Sequence, residues 1–152
     1  GEATLSPERM QELAEREQFI LTVTRNGYGK RTSSYEYRTM GRGNQGVAAI
    51  DLSERNGGAV VASFPVEADE QVLMVTDQAQ MIRIGVADVR IVGRATQGVT
   101  LFRVSDDEHV VSVAKIRDVN GEEEVEPEGE AGGEDEAGTG PDAGSTEAPA
   151  EA

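Results

Sequence analysis

An all-β, propeller-like fold, built from repeated blades of about four antiparallel strands each, is predicted by three features of the sequence. Gly41-Arg42-Gly43-Asn44-Gln45-Gly46-Val47 returns 52 residues later as Gly93-Arg94-Ala95-Thr96-Gln97-Gly98-Val99. A fixed period of roughly 50 residues marks stacked supersecondary units, none of which buries its apolar face alone. The same interval carries Leu21 onto Leu73, Val23 onto Val75, Thr24 onto Thr76, Arg31 onto Arg83 and Arg38 onto Arg90, with no gap between Leu21 and Val104. Within each repeat, apolar residues alternate with period two between Gly-rich and Asn-Gly turn signals, the pattern of half-buried strands joined by hairpins.

Residues 1–18 read as the end of a preceding blade or loop. Ser6-Pro7-Glu8 supplies an N-cap, a first-turn proline and an acid suited to the helix dipole, with Met10, Leu13 and Ala14 on one stripe. A short, charge-laced helix over 7–17 is expected there, inserted before the repeats. The first blade, 19–68, opens on a strand over 19–24 (Phe19, Leu21 and Val23 alternating with Ile20, Thr22 and Thr24) and turns at Asn26-Gly27. Strands are expected at 30–32, 35–39, 47–52 and 59–66, the last after the Asn56-Gly57-Gly58 turn. The second blade, 69–118, repeats them at 71–76, 81–86, 89–92 and 99–104, and 109–116 matches 59–66 after a two-residue shortening. In this copy Ile82 and Ile84 flank Arg83 while Val89 and Ile91 flank Arg90, so alternation turns both arginines away from the core. Arg31 and Arg38 inherit the same outward expectation.

Charge divides the chain at about residue 119. All 14 Lys and Arg lie between Arg9 and Arg117, whereas 12 of the 29 Asp and Glu fall between Glu122 and Glu151. The net charge of −15 therefore hides a mildly basic module, since 19–104 holds 10 bases against 8 acids. Residues 119–152, rich in Glu, Gly, Ala and Pro and without apolar periodicity, are expected to be a disordered acidic tail, because such a segment buries too little surface to offset its ordering entropy. A tethered polyanion beside basic blades also suggests competition with an anionic ligand. The chain has no cysteine, which excludes disulfides, thiolate metal sites and cysteine nucleophiles. No apolar run is long enough for a membrane-spanning helix, and the start at Gly1-Glu2 suggests a piece of a longer protein.

Gly41-Arg42-Gly43-Asn44-Gln45-Gly46 matches the dinucleotide fingerprint literally, but that motif needs a helix after it, and here a strand is expected; the echo also replaces the middle glycine with Ala95. Gly29-Lys30 lacks the upstream glycine and following hydroxyl of a phosphate-cradling loop. Tyr28, Tyr35 and Tyr37 have no aromatic counterparts in the second repeat and fit strand packing. His109 stands alone and is expected to be exposed. No catalytic set and no metal cluster emerges. What does recur is base: Lys30, Arg31, Arg38, Arg42, Arg83, Arg90 and Arg94 occupy blade-equivalent places, as a rim for a shared polyanion would require.

Gly27-Tyr28-Gly29-Lys30-Arg31-Thr32 and the two Gly-Arg-x-x-Gln-Gly-Val segments resemble the C-terminal domain of the bacterial DNA gyrase A protein. The resemblance covers about residues 19–116. It implies a β-pinwheel, here the last two blades of a six-bladed disc plus the tail, with DNA bent around a basic perimeter formed by the seven residues above. Residues 40–46 and 92–98 are degenerate copies of that family's Gln-Arg-Arg-Gly-Gly-Lys-Gly box, each keeping the central Arg and last Gly. The resemblance implies a DNA-wrapping role in ATP-dependent negative supercoiling, a cytoplasmic, nucleoid-associated location, and double-stranded DNA, upstream blades and the gyrase B protein as partners. No catalytic residue or cofactor is expected in this chain, with ATP and Mg2+ belonging to the holoenzyme. The related domain of topoisomerase IV and a propeller-type protein-interaction module are the alternative readings.

Overall fold

The period-two runs fold as two four-stranded antiparallel sheets, one per repeat, in a computed structural model that describes residues 4–131. Helix α1 (Pro7–Glu15) is capped by Ser6, whose hydroxyl accepts from the Arg9 amide, and has no buried residue. Strands β1 (Phe19–Thr24), β2 (Tyr28–Ser33), β3 (Val60–Val66), β4 (Gln71–Thr76), β5 (Met81–Gly85), β6 (Val99–Thr100), β7 (Val110–Val119) and β8 (Glu122–Glu130) follow. Their spatial orders are β3-β1-β2-β6 and β5-β4-β7-β8.

The two sheets share a strand exchange. β6 belongs by sequence to the second repeat, yet it pairs with β2 of the first, Val99 opposite Gly29 and Thr100 opposite Tyr28. Just before it, Ile91 forms a parallel bridge to Arg31. Gly98 explains why the exchange needs its glycine. Its φ is +78°, and a Cβ there would lie 2.9 Å from the Gly29 carbonyl oxygen, so a left-handed turn and a close backbone approach coincide at one residue.

Between the sheets lies one apolar cluster. Leu21 and Val23 of β1 and Val72 and Met74 of β4 are fully buried in it, with Val61, Phe64, Val86, Val89, Val110 and Val113. Leu73 and Val75 stand 52 residues beyond Leu21 and Val23 but are only half-buried. Whatever covers Leu21 and Val23 in the first sheet, namely the second sheet, has no counterpart among the described residues beyond the second.

Several expected elements differ. Helix α1 ends at Glu15 rather than 17. The strand expected at 35–39 is a 3-10 turn, Ser34–Glu36, nucleated by the Ser33 hydroxyl on the Tyr35 amide. The run 89–92 is reduced to the Ile91 bridge at the middle of β2, and 99–104 to two residues that meet only the first end of β2, at Tyr28 and Gly29. Residues 47–52 form no strand; Ile50 is buried, and the segment is held instead by the Asp51 amide on the Thr96 carbonyl (3.0 Å).

The largest departure is at the tail. Residues 122–130, expected to be disordered, form β8, paired to β7 from Val119 opposite Glu122 to Ser112 opposite Glu130. Asn120 (φ 56°) and Gly121 (φ 84°) supply the two left-handed residues of a tight hairpin turn. Backbone pairing and charge replace the missing apolar face. Lys115 lies 3.8 Å from Glu70, 3.5 Å from Glu126 and 3.5 Å from Glu128, and Arg117 meets Glu124 and Glu126. The rest of the expected tail, 132–152, lies outside the described residues.

Candidate nucleic-acid interface

Two of the seven predicted cations are buried between the repeats. Lys30 on β2 is fully inaccessible, and its ammonium donates to the carbonyls of Gly93 (2.9 Å), Arg94 (2.6 Å) and Thr96 (3.1 Å) and to the Thr96 hydroxyl (3.2 Å). Burial pushes its pKa down to about 8, with Arg94 adding to the fall and Glu36 and Asp51 opposing it. Every donor is engaged. Arg31 is 9% exposed; its Nε donates to the Val89 carbonyl (2.8 Å) and its Nη2 to that of Ala87 (3.2 Å), while the guanidinium sits 5.8 Å from the Phe19 ring centre. The outward expectation for Arg31 is thus overturned. The register sets Arg31 directly opposite the core residue Leu21, so both side chains share the covered face, where the guanidinium meets carbonyls of residues 87–89 of the next repeat.

Arg94 is half-buried and acts as a third tie. Its Nε donates to the Glu36 carbonyl (2.8 Å) and its Nη1 to that of Ala48 (2.9 Å), and it lies over Tyr37 at 5.9 Å. Burial raises the Tyr37 phenol, whose oxygen is enclosed without a partner. These three cations fasten loop carbonyls of one repeat to the other, which is what a Lys-Arg strand and a Gly-Arg-x-x-Gln-Gly-Val turn accomplish here.

Arg38, Arg42, Arg83 and Arg90 are exposed. Arg83 is engaged by Gln71 and by Glu123 of β8, at 2.5 Å from the latter's Oε1. That hydrogen bond holds the Glu123 carboxyl below its usual range and raises the guanidinium. Arg38 reaches only the Met40 sulfur (3.4 Å). Among the described residues, Arg42 and Arg90 have no side-chain partner in any hydrogen bond or ion pair. Arg38 and Arg90 are the pair that both recur in register and remain exposed.

Three further exposed arginines, Arg25, Arg55 and Arg103, were missed by the repeat, since residues 52 positions away are not basic. Arg55 donates from Nε to the Tyr28 hydroxyl (3.1 Å) and lies 5.5 Å from its ring centre. The Arg55 hydrogen bond, then one from Thr100, and the nearby Arg103 charge lower the Tyr28 phenol. Together with Asn26 and Thr100 these side chains line an open cleft of about 430 Å³. The signal was available: Asn26-Gly27 and Asn56-Gly57 place Arg25 and Arg55 at adjacent hairpin ends. His109 is half-buried rather than exposed, with Nδ1 3.1 Å from the Asn26 side-chain oxygen. Among the described residues no group of three His, Cys, Asp or Glu side chains is arranged to hold a metal, and no helix is long and apolar enough to cross a membrane.

The sequence of this chain is similar over residues 18–67 and 70–117 to the family described as DNA gyrase C-terminal domain, beta-propeller. The DNA gyrase A protein of Granulibacter bethesdensis is 54% identical over 115 residues, which are 76% of this chain and 12% of that protein. Its counterpart in Haemophilus influenzae is 50% identical over 107 residues, 70% of this chain and 12% of that protein. The chain thus spans about one eighth of the length of these relatives. A solved DNA gyrase A C-terminal domain superposes with a TM-score of 0.60 at 28% identity, over 66% of this chain and 34% of that structure. The C-terminal domain of DNA topoisomerase IV gives the same TM-score at 20% identity, over 66% of this chain and 31% of that structure, a likeness of fold alone. The first matched range carries β1 to β3 and the second β4 to β7, and the chain belongs to the DNA gyrase C-terminal domain, β-propeller family.

Proposed function

We propose that this chain is part of the DNA-wrapping domain of a gyrase A protein, holding duplex DNA by its phosphates along an arginine rim. The observation that carries this reading is Arg38 and Arg90, equivalent in the two repeats and both exposed. A periodic ligand fits a periodic protein, and the phosphate backbone is such a ligand. Arg25, Arg55 and Arg103 extend the basic surface at the hairpin end. Lys30, Arg31 and Arg94, bonded to carbonyls, set the angle between the blades instead. Arg83, already engaged by Gln71 and Glu123, stays outside this set, and the exposed Arg42, without a side-chain partner among the described residues, joins it.

Contacts of this type release counterions and read no bases, so binding is salt-sensitive and weakly sequence-dependent. They also offset the elastic cost of curving DNA, on the order of 1 to 6 kcal/mol for a site of about 20 to 30 base pairs. In the whole enzyme the wrap would present a second DNA segment for ATP-driven strand passage, with the gyrase B protein as partner, in the cytoplasm beside the nucleoid. ATP and Mg2+ belong elsewhere in that assembly. Lys30, the one lysine that follows a glycine, has no donor left for a nucleotide phosphate.

The test is the salt dependence of DNA binding by the full-length protein, wild type against Arg38→Ala/Arg90→Ala. Loss of two phosphate contacts should flatten the log–log slope by about 2 and weaken binding equally on unrelated sequences. An unchanged slope would remove both residues from the interface.

A further inference from the structure

The cleft at the hairpin end of the first repeat carries a charge pattern that the 52-residue register does not repeat. Arg55 and Arg103 are exposed and line it beside Tyr28, and of its charged side chains only Asp106 is acidic. At the register-equivalent places stand Asp107 for Arg55, Asp51 for Arg103 and Gln80 for Tyr28. Asp107 is itself engaged by the Gln78 amide (3.1 Å). What is cationic at the first repeat's hairpin end is thus anionic at the second's.

Arg55 is held in place before any ligand arrives. Its Nε donates to the Tyr28 hydroxyl (3.1 Å), and its guanidinium lies 5.5 Å from the Tyr28 ring centre. Both ends of this pair are fixed. Tyr28 is paired with Thr100 across the strand exchange, and the Asn26 amide donates to the carbonyls of Glu54 (3.4 Å) and Arg55 (3.2 Å), the turn from which Arg55 projects. The two Nη groups have no partner among the described residues, and their end of the guanidinium is the fork that matches two phosphate oxygens. The cleft also favours negative charge: the Arg55 hydrogen bond, with the Arg103 charge adding to it, holds the Tyr28 phenol below its ordinary value.

We propose that this cleft is a phosphate clamp present in one repeat only, in which Arg55 and Arg103 together grip one phosphodiester group of the duplex and Tyr28 is the positioning residue that holds Arg55 ready. The inference deepens the DNA-binding reading and rests on it. A repeated rim offers the same contacts at every blade; a clamp of one sign here and the opposite sign one repeat later draws the duplex toward the hairpin end at the first repeat and turns it away at the second. Tyr28 contributes by reducing the side-chain freedom that Arg55 would otherwise lose on binding.

The experiment is the salt dependence of duplex binding by the full-length protein. Arg55→Ala/Arg103→Ala should flatten the log–log slope by about 1, the value for one phosphate, and weaken binding equally on unrelated sequences. Tyr28→Phe keeps the ring and removes the hydroxyl; it should weaken binding about fivefold with the slope unaltered, and should have no effect when Arg55 is already alanine. An equal effect of Tyr28→Phe in both backgrounds overturns the positioning role. Flattening by about 2 in the double arginine variant means two separate contacts and overturns the clamp. A loss confined to A·T-rich sequences overturns it in favour of arginine insertion into the minor groove. Arg38→Ala/Arg90→Ala separates this inference from the reading beneath it. A flattened slope there, with an unchanged slope in Arg55→Ala/Arg103→Ala, overturns the clamp alone, whereas unchanged slopes in both overturn the phosphate rim as well.

Discussion

Lys30 shows how one residue can carry opposite meanings in sequence and in structure. By position it is a rim cation; by geometry it is a buried tie among three carbonyls and a hydroxyl. Removing it strands those acceptors, and each buried unpaired group costs about 1 to 3 kcal/mol. Lys30→Met should therefore lower the unfolding free energy of the complete domain by about 2 to 4 kcal/mol, read from denaturant midpoints. The pH dependence has a definite sign. The unfolded lysine titrates near 10.5 and the folded one at about 8, so between these values the unfolded chain binds the extra proton and stability rises with pH. The wild type should gain stability relative to Lys30→Met across that window, and lose the gain as pH falls through 8. Equal pH slopes in the two proteins would show that the ammonium is not buried as described. Nothing in the sequence distinguishes Lys30 from Arg38, because the cover over Lys30 comes from residues 63 to 66 positions away.

At the scale of elements, β8 is held where the repeat provides no precedent, through backbone pairing, charge and one close approach. A Cβ at Gly129 would fall 2.4 Å from the Val61 carbonyl oxygen and 2.9 Å from the Ala62 Cβ, so β8 rests against β3 as well as β7. Gly129→Ala should lift that end of the strand, seen as faster exchange of the Ala131 amide, which now donates to the Val111 carbonyl, with the β4 amides unaffected. Acidification acts at the other end. Glu123 has its pKa depressed by Arg83, so its contribution is present above the unfolded carboxylate value and lost as pH falls through the lower folded one. The two-strand cores, the capped helix and the 52-residue register were legible because they rest on local periodicity and turn chemistry. β8 was not, although Asn120-Gly121 is the same turn signal as Asn26-Gly27: a run of six glutamates within nine residues outweighed it, and the bases that neutralise them lie on β5 and β7. The candidate site was half legible for a related reason. Periodicity located the arginines, but exposure depends on the neighbouring repeat.

For the whole molecule, the tail and the rim form one electrostatic system. β8 engages Arg83, Lys115 and Arg117, three of the 14 bases, in pairs that an incoming phosphate could replace. The second sheet's bases are thereby paired, whereas Arg38 and Arg42 of the first repeat remain exposed without an acidic partner among the described residues. Deleting 120–152 would test this only ambiguously, since it bares the edge of β7 and invites association through unpaired backbone groups. Replacing Glu122, Glu123, Glu124, Glu126, Glu128 and Glu130 by Gln removes the charge while leaving the backbone pairing of β8 available. If the tail withholds these bases from DNA, the full-length variant should bind at higher salt than the wild type. Its log–log slope should steepen by up to about 3, close to one for each released base. A raised salt midpoint with an unchanged slope would mean that the glutamates repel DNA at a distance without occupying its contacts. If neither midpoint nor slope moved, β8 would be an edge cover for the second sheet, and its carboxylates would serve Arg83, Lys115 and Arg117 structurally.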